Sequence, residues 1–222
     1  MLDIITACVP LQRRVALQPL QRLFLKYGAL MEDQVILVDL NDNQVGFAGK
    51  MAAHRSGELH RAISIFVFDA ASRVLLQKRA STKYHSGGLW SNTCCSHPRP
   101  NEDTTDAARR RLREEMGFDC ELQEVFSFVY QTRFDNGLIE HEYDHVFFGH
   151  HDDKPVLNPE EAEDWKWMDM RQLAADIREH PESYSVWLAA CVDRVVSFRT
   201  SGHSGHLTEE TCREIRSANS LS

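Results

Sequence analysis

The run Asn92-Thr93-Cys94-Cys95-Ser96-His97-Pro98 places two thiols within three residues of an imidazole. A thiol in that setting could be an acid–base group, a redox partner or a metal ligand, or simply a small packed residue, as most free cysteines are. In an extended segment Cys94 and Cys95 point to opposite faces, so they are not expected to bond to each other. Two further histidines, His54 and His60, flank the turn-like Arg55-Ser56-Gly57. Glu140 and Glu142 alternate on an expected strand, which brings both carboxylates out on one face. Three imidazoles and two carboxylates could complete a nitrogen–oxygen site for a divalent metal. Spacing alone does not bring these segments together, and any one of the histidines by itself reads as a polar surface residue.

A second pair of carboxylates, Glu114 and Glu115, closes the segment Arg109-Arg110-Arg111-Leu112-Arg113-Glu114-Glu115-Met116-Gly117-Phe118. Adjacent carboxylates at a helix end suit a hard cation such as Mg²⁺, which keeps waters and a substrate phosphate among its ligands. Arg111 and Glu115 share a helix face, and taken alone they form an ordinary surface ion pair worth a few tenths of a kcal/mol.

These residues need elements to hold them. Residues 34–40, 62–68, 74–79, 125–134, 142–149 and 164–169 read as strands from their β-branched and aromatic content and their bounding turns. The helices expected are 101–116, with Asn101 and Asp103 cap-like and Gly117 closing it, then 170–177 and 182–198. Mixed strands with interspersed helices give an α/β (α+β) domain, a sheet with helices on both sides. The chain has 222 residues, 42% hydrophobic and 26% charged, which suffices for a core able to shield a reactive intermediate. A net charge of −8 argues against a nucleic-acid partner and requires that positive charge for an anionic substrate be local. Six scattered cysteines imply a reducing compartment, the cytoplasm. No apolar run approaches the roughly 20 residues of a membrane span. Residues 1–31 read as a basic extension, 32–199 as the catalytic domain, and 200–222 as a tail with a short helix at 208–217; a monomer is expected.

The segment ending at Phe118 resembles the end of a Nudix box, G-x5-E-x7-R-E-U-x-E-E-x-G-U, where U is a bulky aliphatic residue. Glu102 falls on its first Glu, Ser96 replaces its first Gly, and Arg111 replaces the Glu after the first Arg. A positive charge there should weaken metal-assisted hydrolysis and strengthen diphosphate binding. Together with Ala53-His54, Leu59-His60-Arg61, Cys95-Ser96-His97-Pro98 and Glu140-His141-Glu142, the pattern is similar to the type 1 isopentenyl-diphosphate isomerases, a branch of the Nudix fold, from about Gln34 to Phe198. Gly87-Gly88 stands where that family commonly has Pro-Gly.

The resemblance implies a mixed sheet sandwiched between helices and a set of roles. His54, His60, His97, Glu140 and Glu142 would hold one divalent metal, Zn²⁺, Mn²⁺ or Mg²⁺, and Glu115 would hold a Mg²⁺ bridging to the diphosphate. Lys50, Arg79, Lys83 and Arg111 would grip the diphosphate. Glu142, assisted by Tyr130, would protonate carbon 4 of isopentenyl diphosphate, Cys95 would take a proton from carbon 2, and the reverse reaction would swap the roles. Cys94 would be a packing neighbour, and Trp187 would face the carbocation-like centre. The small-molecule diphosphate is the partner implied, in isoprenoid biosynthesis. The competing expectation is a Nudix hydrolase of a nucleoside diphosphate derivative, which shares the fold and the Glu114-Glu115 pair; Arg111 and the Cys95/His97 run count against it.

Overall fold

The structure, a computed structural model, describes residues 34–200; the expected extension, the expected tail beyond Thr200 and its 208–217 helix lie outside the described residues. In chain order these residues form β1 (Gln34–Val38), β2 (Gln44–Gly49), α1 (Lys50–Ser56), β3 (His60–Phe68), β4 (Arg73–Arg79), β5 (Trp90–Ser91), β6 (Cys94–Ser96) and α2 (Thr104–Met116). There follow β7 (Leu122–Arg133), β8 (Ile139–His150), β9 (Ala162–Asp169), α3 (Met170–Glu179), a 3₁₀ turn (Pro181–Ser183) and α4 (Val186–Thr200).

The strand HRAISIFVF, β3, is apolar on both faces, the composition of a strand covered on both sides. It runs parallel to β8 through nine register pairs, from His60↔Glu142 to Phe68↔His150, and antiparallel to β6 through Ile63↔Ser96 to Ile65↔Cys94. β1 and β4 join it at its two ends, β2 and β5 extend the path, β9 pairs with β4, and β7 pairs with β8. Alternate residues of β3 feed two cores. Ile63, Ile65 and Val67 pack with Ala108, Leu112 and Met116 of α2. Phe66 and Phe68 pack with Leu173 of α3 and with Leu188 and Val192 of α4. A mixed sheet thus lies between helices, as expected, and each large apolar side chain buried in these layers stabilises the fold by roughly 1.5–3 kcal/mol. No helix among the described residues is long and apolar enough to cross a membrane.

Several boundaries differ from expectation for local reasons. β1 stops at Val38 because the Asp39 carboxylate accepts from the backbone of Asn41 and Asn43, turning the chain. α2 begins at Thr104, not 101: Asp103 accepts from Thr105 N–H, while Asn101 has φ 63°, which a helix cannot continue. It ends on Gly117, at φ 74°, where a Cβ would come within 2.4 Å of the Val156 carbonyl oxygen. The last helix begins at Val186 rather than 182. Pro181–Ser183 forms a 3₁₀ turn, and the next residues bind β5 instead: Tyr184 bridges to Trp90 and Ser185 N–H donates to Trp90 O at 2.9 Å. β8 starts at Ile139, closer to the turn at Gly137 than expected, while β7 ends at Arg133 and starts earlier than expected, at Leu122. β2, α1, β5 and β6 were not anticipated; they are short, and β2 carries two glycines.

Candidate active site

One local turn and three strand pairings bring the histidines, carboxylates and Tyr130 together. α1 ends on Gly57 in the left-handed conformation, so the chain reverses and β3 starts at His60, leaving the His54 and His60 ring centroids 4.8 Å apart. Pairing of β6 with β3 puts His97 alongside, 5.0 Å from His60 by ring centroids. The parallel register sets Glu142 directly beside His60, with its Oε1 2.9 Å from His97 Nε2 and 3.6 Å from His60 Nε2. On the other side of β8, Tyr130 is the register partner of Glu142; its hydroxyl lies 2.6 Å from Glu142 Oε2 and 2.9 Å from Glu140 Oε2.

The protonation states follow from these contacts. Burial alone would raise Glu142, but the His97 and His60 imidazoles beside it outweigh burial and hold the group well below the usual carboxylate range. Glu140 is pushed up to about 8 by burial and by the charge of Glu142. Burial lowers His54 to about 4 and His97 well below its ordinary value, so both rings are neutral at pH 7. His54 Nδ1 lies 2.7 Å from Lys50 O and His60 Nδ1 2.8 Å from Glu58 O, so each donates there and turns a bare Nε2 inward. Both Nε2 atoms are buried with no hydrogen-bond partner. Buried, bare imidazole nitrogens converging on a carboxylate fit a divalent ion, and the ligand atoms of His54, His60, His97 and Glu142 all lie within 4.8 Å of one another.

The two adjacent cysteines separate as the extended geometry requires. Cys94 is fully buried in the core under α2. Cys95 turns to the other face, where its thiol donates to Asn92 Oδ1 at 2.9 Å and accepts from Trp187 Nε1–H at 2.8 Å. Asn92 Nδ2 donates to the Ile65 and Cys94 carbonyls at 3.2 and 3.0 Å, which fixes the amide with its oxygen toward the sulfur. Ser91 Oγ sits 3.4 Å from the sulfur and 3.0 Å from Ser185 Oγ. Burial pushes the Cys95 thiol well above its ordinary value, so it carries its proton at neutral pH.

A cavity is lined by Cys95, His97, Glu140, Glu142 and Trp187 together with Lys50 and Arg79. The Arg79 guanidinium stands 4.9 Å over the Trp187 ring, and burial lowers the ammonium of Lys50. Lys83 and Arg111 are held elsewhere. Both pair with Glu161, and Arg111 also binds Glu115 at 2.6 Å and Glu114 at 2.8 Å. Glu115 has both oxygens engaged, one by Arg111 and one by Gln77 at 3.2 Å, and stands apart from the histidine cluster. The expected site residues therefore fall into two neighbourhoods, the cavity and a charged cluster at the end of α2. Sequence reasoning missed Asn92, Ser91, Ser185 and His85. Asn92 lies inside the quoted cysteine run, but an amide beside a thiol carries no signal until the strand geometry is known.

A NUDIX domain model matches residues 58–190. The chain is 72% identical over 175 residues to Isopentenyl-diphosphate Delta-isomerase 2 of Aromatoleum aromaticum, a match covering 79% of this chain and 93% of that one. It is 52% identical over 163 residues to the protein of the same name from Photorhabdus laumondii, covering 73% and 92%. Among solved structures, DR0079 from Deinococcus radiodurans superposes with a TM-score of 0.62 over 72% of this chain and 98% of that one; at 21% identity this establishes the fold alone.

Proposed function

The chain belongs to the isopentenyl-diphosphate Delta-isomerases of the NUDIX family, and we propose that its cavity moves a double bond within a five-carbon diphosphate, interconverting isopentenyl and dimethylallyl diphosphate. The observation that carries the reading is that two proton-transfer groups of different chemistry, the Cys95 thiol and the Glu142 carboxylate backed by Tyr130, line one cavity with the indole of Trp187. The reaction needs a proton delivered to one carbon of an unactivated alkene and another removed two bonds away. It also needs water kept from the cationic centre between them.

Cys95 and Glu142 are the two proton-transfer groups, and they exchange roles with the direction of reaction. When Cys95 gives up its proton, Trp187 Nε1–H and the Ser91 hydroxyl are the donors that stabilise the sulfur. Tyr130 does the same for Glu142. The face of Trp187 stabilises developing positive charge by about 0.5–2 kcal/mol in a dry site. Lys50 and Arg79 supply the local positive charge for the diphosphate within the cavity. Lys83 and Arg111 would join them by exchanging Glu161 for phosphate, and Glu115, once released by Arg111, would hold a divalent ion bound with the substrate. A divalent ion held by His54, His60, His97, Glu140 and Glu142 would supply positive charge that orients Glu142 and lowers its affinity for a proton.

The hydrolase alternative needs a metal-binding carboxylate where Arg111 stands, and Arg111 instead ties up Glu114, Glu115 and Glu161. Incubation with isopentenyl diphosphate in D₂O tests the proposal: deuterated dimethylallyl diphosphate forms with no phosphate release. Phosphate or pyrophosphate release without isomer would overturn it.

A further inference from the structure

One histidine of the cavity has no part in the scheme above. His85 lies in the connection between β4 and β5, and its ring is clamped on both sides. It stacks on Phe134 at 4.8 Å, with planes 9° apart, and meets the edge of Tyr84 at 4.3 Å. The backbone beneath it is equally fixed. Arg79 Nη2 reaches the His85 carbonyl at 3.4 Å, and Gly87 packs so tightly that a Cβ would come within 2.7 Å of Ser81 O. So oriented, His85 Nε2 lies 2.9 Å from Glu140 Oε1, yet makes no hydrogen bond of acceptable geometry, and it is buried. It is a third bare Nε2 beside those of His54 and His60.

His85, His54 and Glu140 offer ligand atoms within 4.8 Å of one another, as do His54, His60, His97 and Glu142. Two ions are one way to read two such groups, but His54 belongs to both. Its Nδ1 is committed to Lys50 O, so only Nε2 remains, and one imidazole lone pair cannot serve two ions. An ion at His54 therefore has ligand atoms of both groups around it. We propose that His85 is a fourth imidazole ligand of the metal centre, giving a six-donor set of His54, His60, His85, His97, Glu140 and Glu142.

The inference deepens the metal-centre reading and rests on it. Four neutral imidazoles and two carboxylates favour a transition ion over Mg²⁺, which prefers oxygen and keeps its waters. An ion held by six side chains would be an anchor rather than a source of activated water, which suits a site whose chemistry must exclude water.

Cobalt-loaded full-length protein provides the test, with X-ray absorption counting imidazoles and a chromophoric chelator measuring affinity. Four imidazoles are expected in the wild type. His85→Ala and His85→Asn should each lose one and weaken Co²⁺ and Zn²⁺ binding about tenfold or more, while Mg²⁺ affinity moves less than about threefold. Circular dichroism of the metal-free variants controls for folding, and the wild-type imidazole count stands whether or not a variant folds. Three imidazoles in the wild type, two ions per chain, or unchanged Co²⁺ affinity in both variants would each overturn the assignment of His85. A wild-type chain that binds no ion at all would instead overturn the metal-centre reading.

Discussion

His145 gives the most quantitative handle on the scaffold. It projects from β8, three residues beyond Glu142, and is held between two carboxylates: Nδ1 lies 2.7 Å from Glu124 of β7 and Nε2 3.1 Å from Asp42 of the β1–β2 turn. Arg61 also binds Asp42, at 2.7 Å, and the Tyr143 ring lies 5.4 Å away. Burial by itself would lower this imidazole, but the bonds to Asp42 and Glu124 overcome it and raise the group from 6.5 to about 9. The folded state thus holds a proton to higher pH than the unfolded chain. Stability from this contact is complete below pH 6.5 and is lost as pH rises through about 9. A shift of about 2.5 units corresponds to a ceiling of about 3.4 kcal/mol. Glu124 is 41% exposed, so screening reduces the contribution to about 1–2 kcal/mol. For a domain of this size that is a melting shift of roughly 3–6 °C. His145→Gln should therefore melt below wild type by that amount at pH 6, and the gap should close by pH 9.5. Calorimetry of both proteins with chelator present measures it, with other titrating groups cancelling in the difference. A gap that stays constant from pH 6 to 9.5 would refute the reasoning, as would an NMR titration placing His145 below pH 7.

Three further outcomes follow from the site. Cys95→Ala should lower kcat by about 10²–10⁴ with unchanged metal content; wild-type turnover in that variant would remove Cys95 from the mechanism. His60→Ala should lose the ion, measured by elemental analysis, and its melting temperature should no longer respond to added metal, whereas wild type gains about 2.7 kcal/mol at a hundredfold excess over Kd; retained tight binding would show the ligand set to be wrong. Trp187→Phe keeps a ring face but loses the N–H that meets Cys95 at 2.8 Å, so kcat should fall about tenfold with KM little changed; a KM effect alone would mean that the indole N–H serves substrate binding instead.

The parts legible in the sequence were those whose signal is local. β3 and β8 announce themselves by β-branched and aromatic runs, and α2 by its Asp103 cap and closing Gly117. The opposite facing of Cys94 and Cys95, and the common face of Glu140 and Glu142, follow from strand alternation without knowledge of the fold. What remained hidden depends on pairing between distant segments. Tyr184 and Ser185 look helical by composition, but the Trp90 backbone captures them, and that capture brings Ser185 to Ser91 and Trp187 to Cys95. His85 sits in a loop with no periodicity, so nothing in its neighbours places its ring against Phe134 and Glu140. The resemblance to a known family supplied residue roles, but it did not show that Arg111 and Lys83 are committed to Glu161 in this state.

The parallel pairing of β3 with β8 also dictates when the site can exist. A nascent chain ending at Arg99 already contains His54, His60, His85 and His97 but neither Glu140 nor Glu142. Until β8 docks, β3 has one long side unpaired and the four imidazoles have no carboxylate beside them. Parallel pairing across so many residues closes a long loop and forms late in folding. Because side chains alternate, a slip of one residue would turn Glu140 and Glu142 to the opposite face and push apolar partners out of both cores. Zipping β3 to β8 in register is therefore a single event that completes the core and creates the reaction centre, so that a misregistered chain is both unstable and inert.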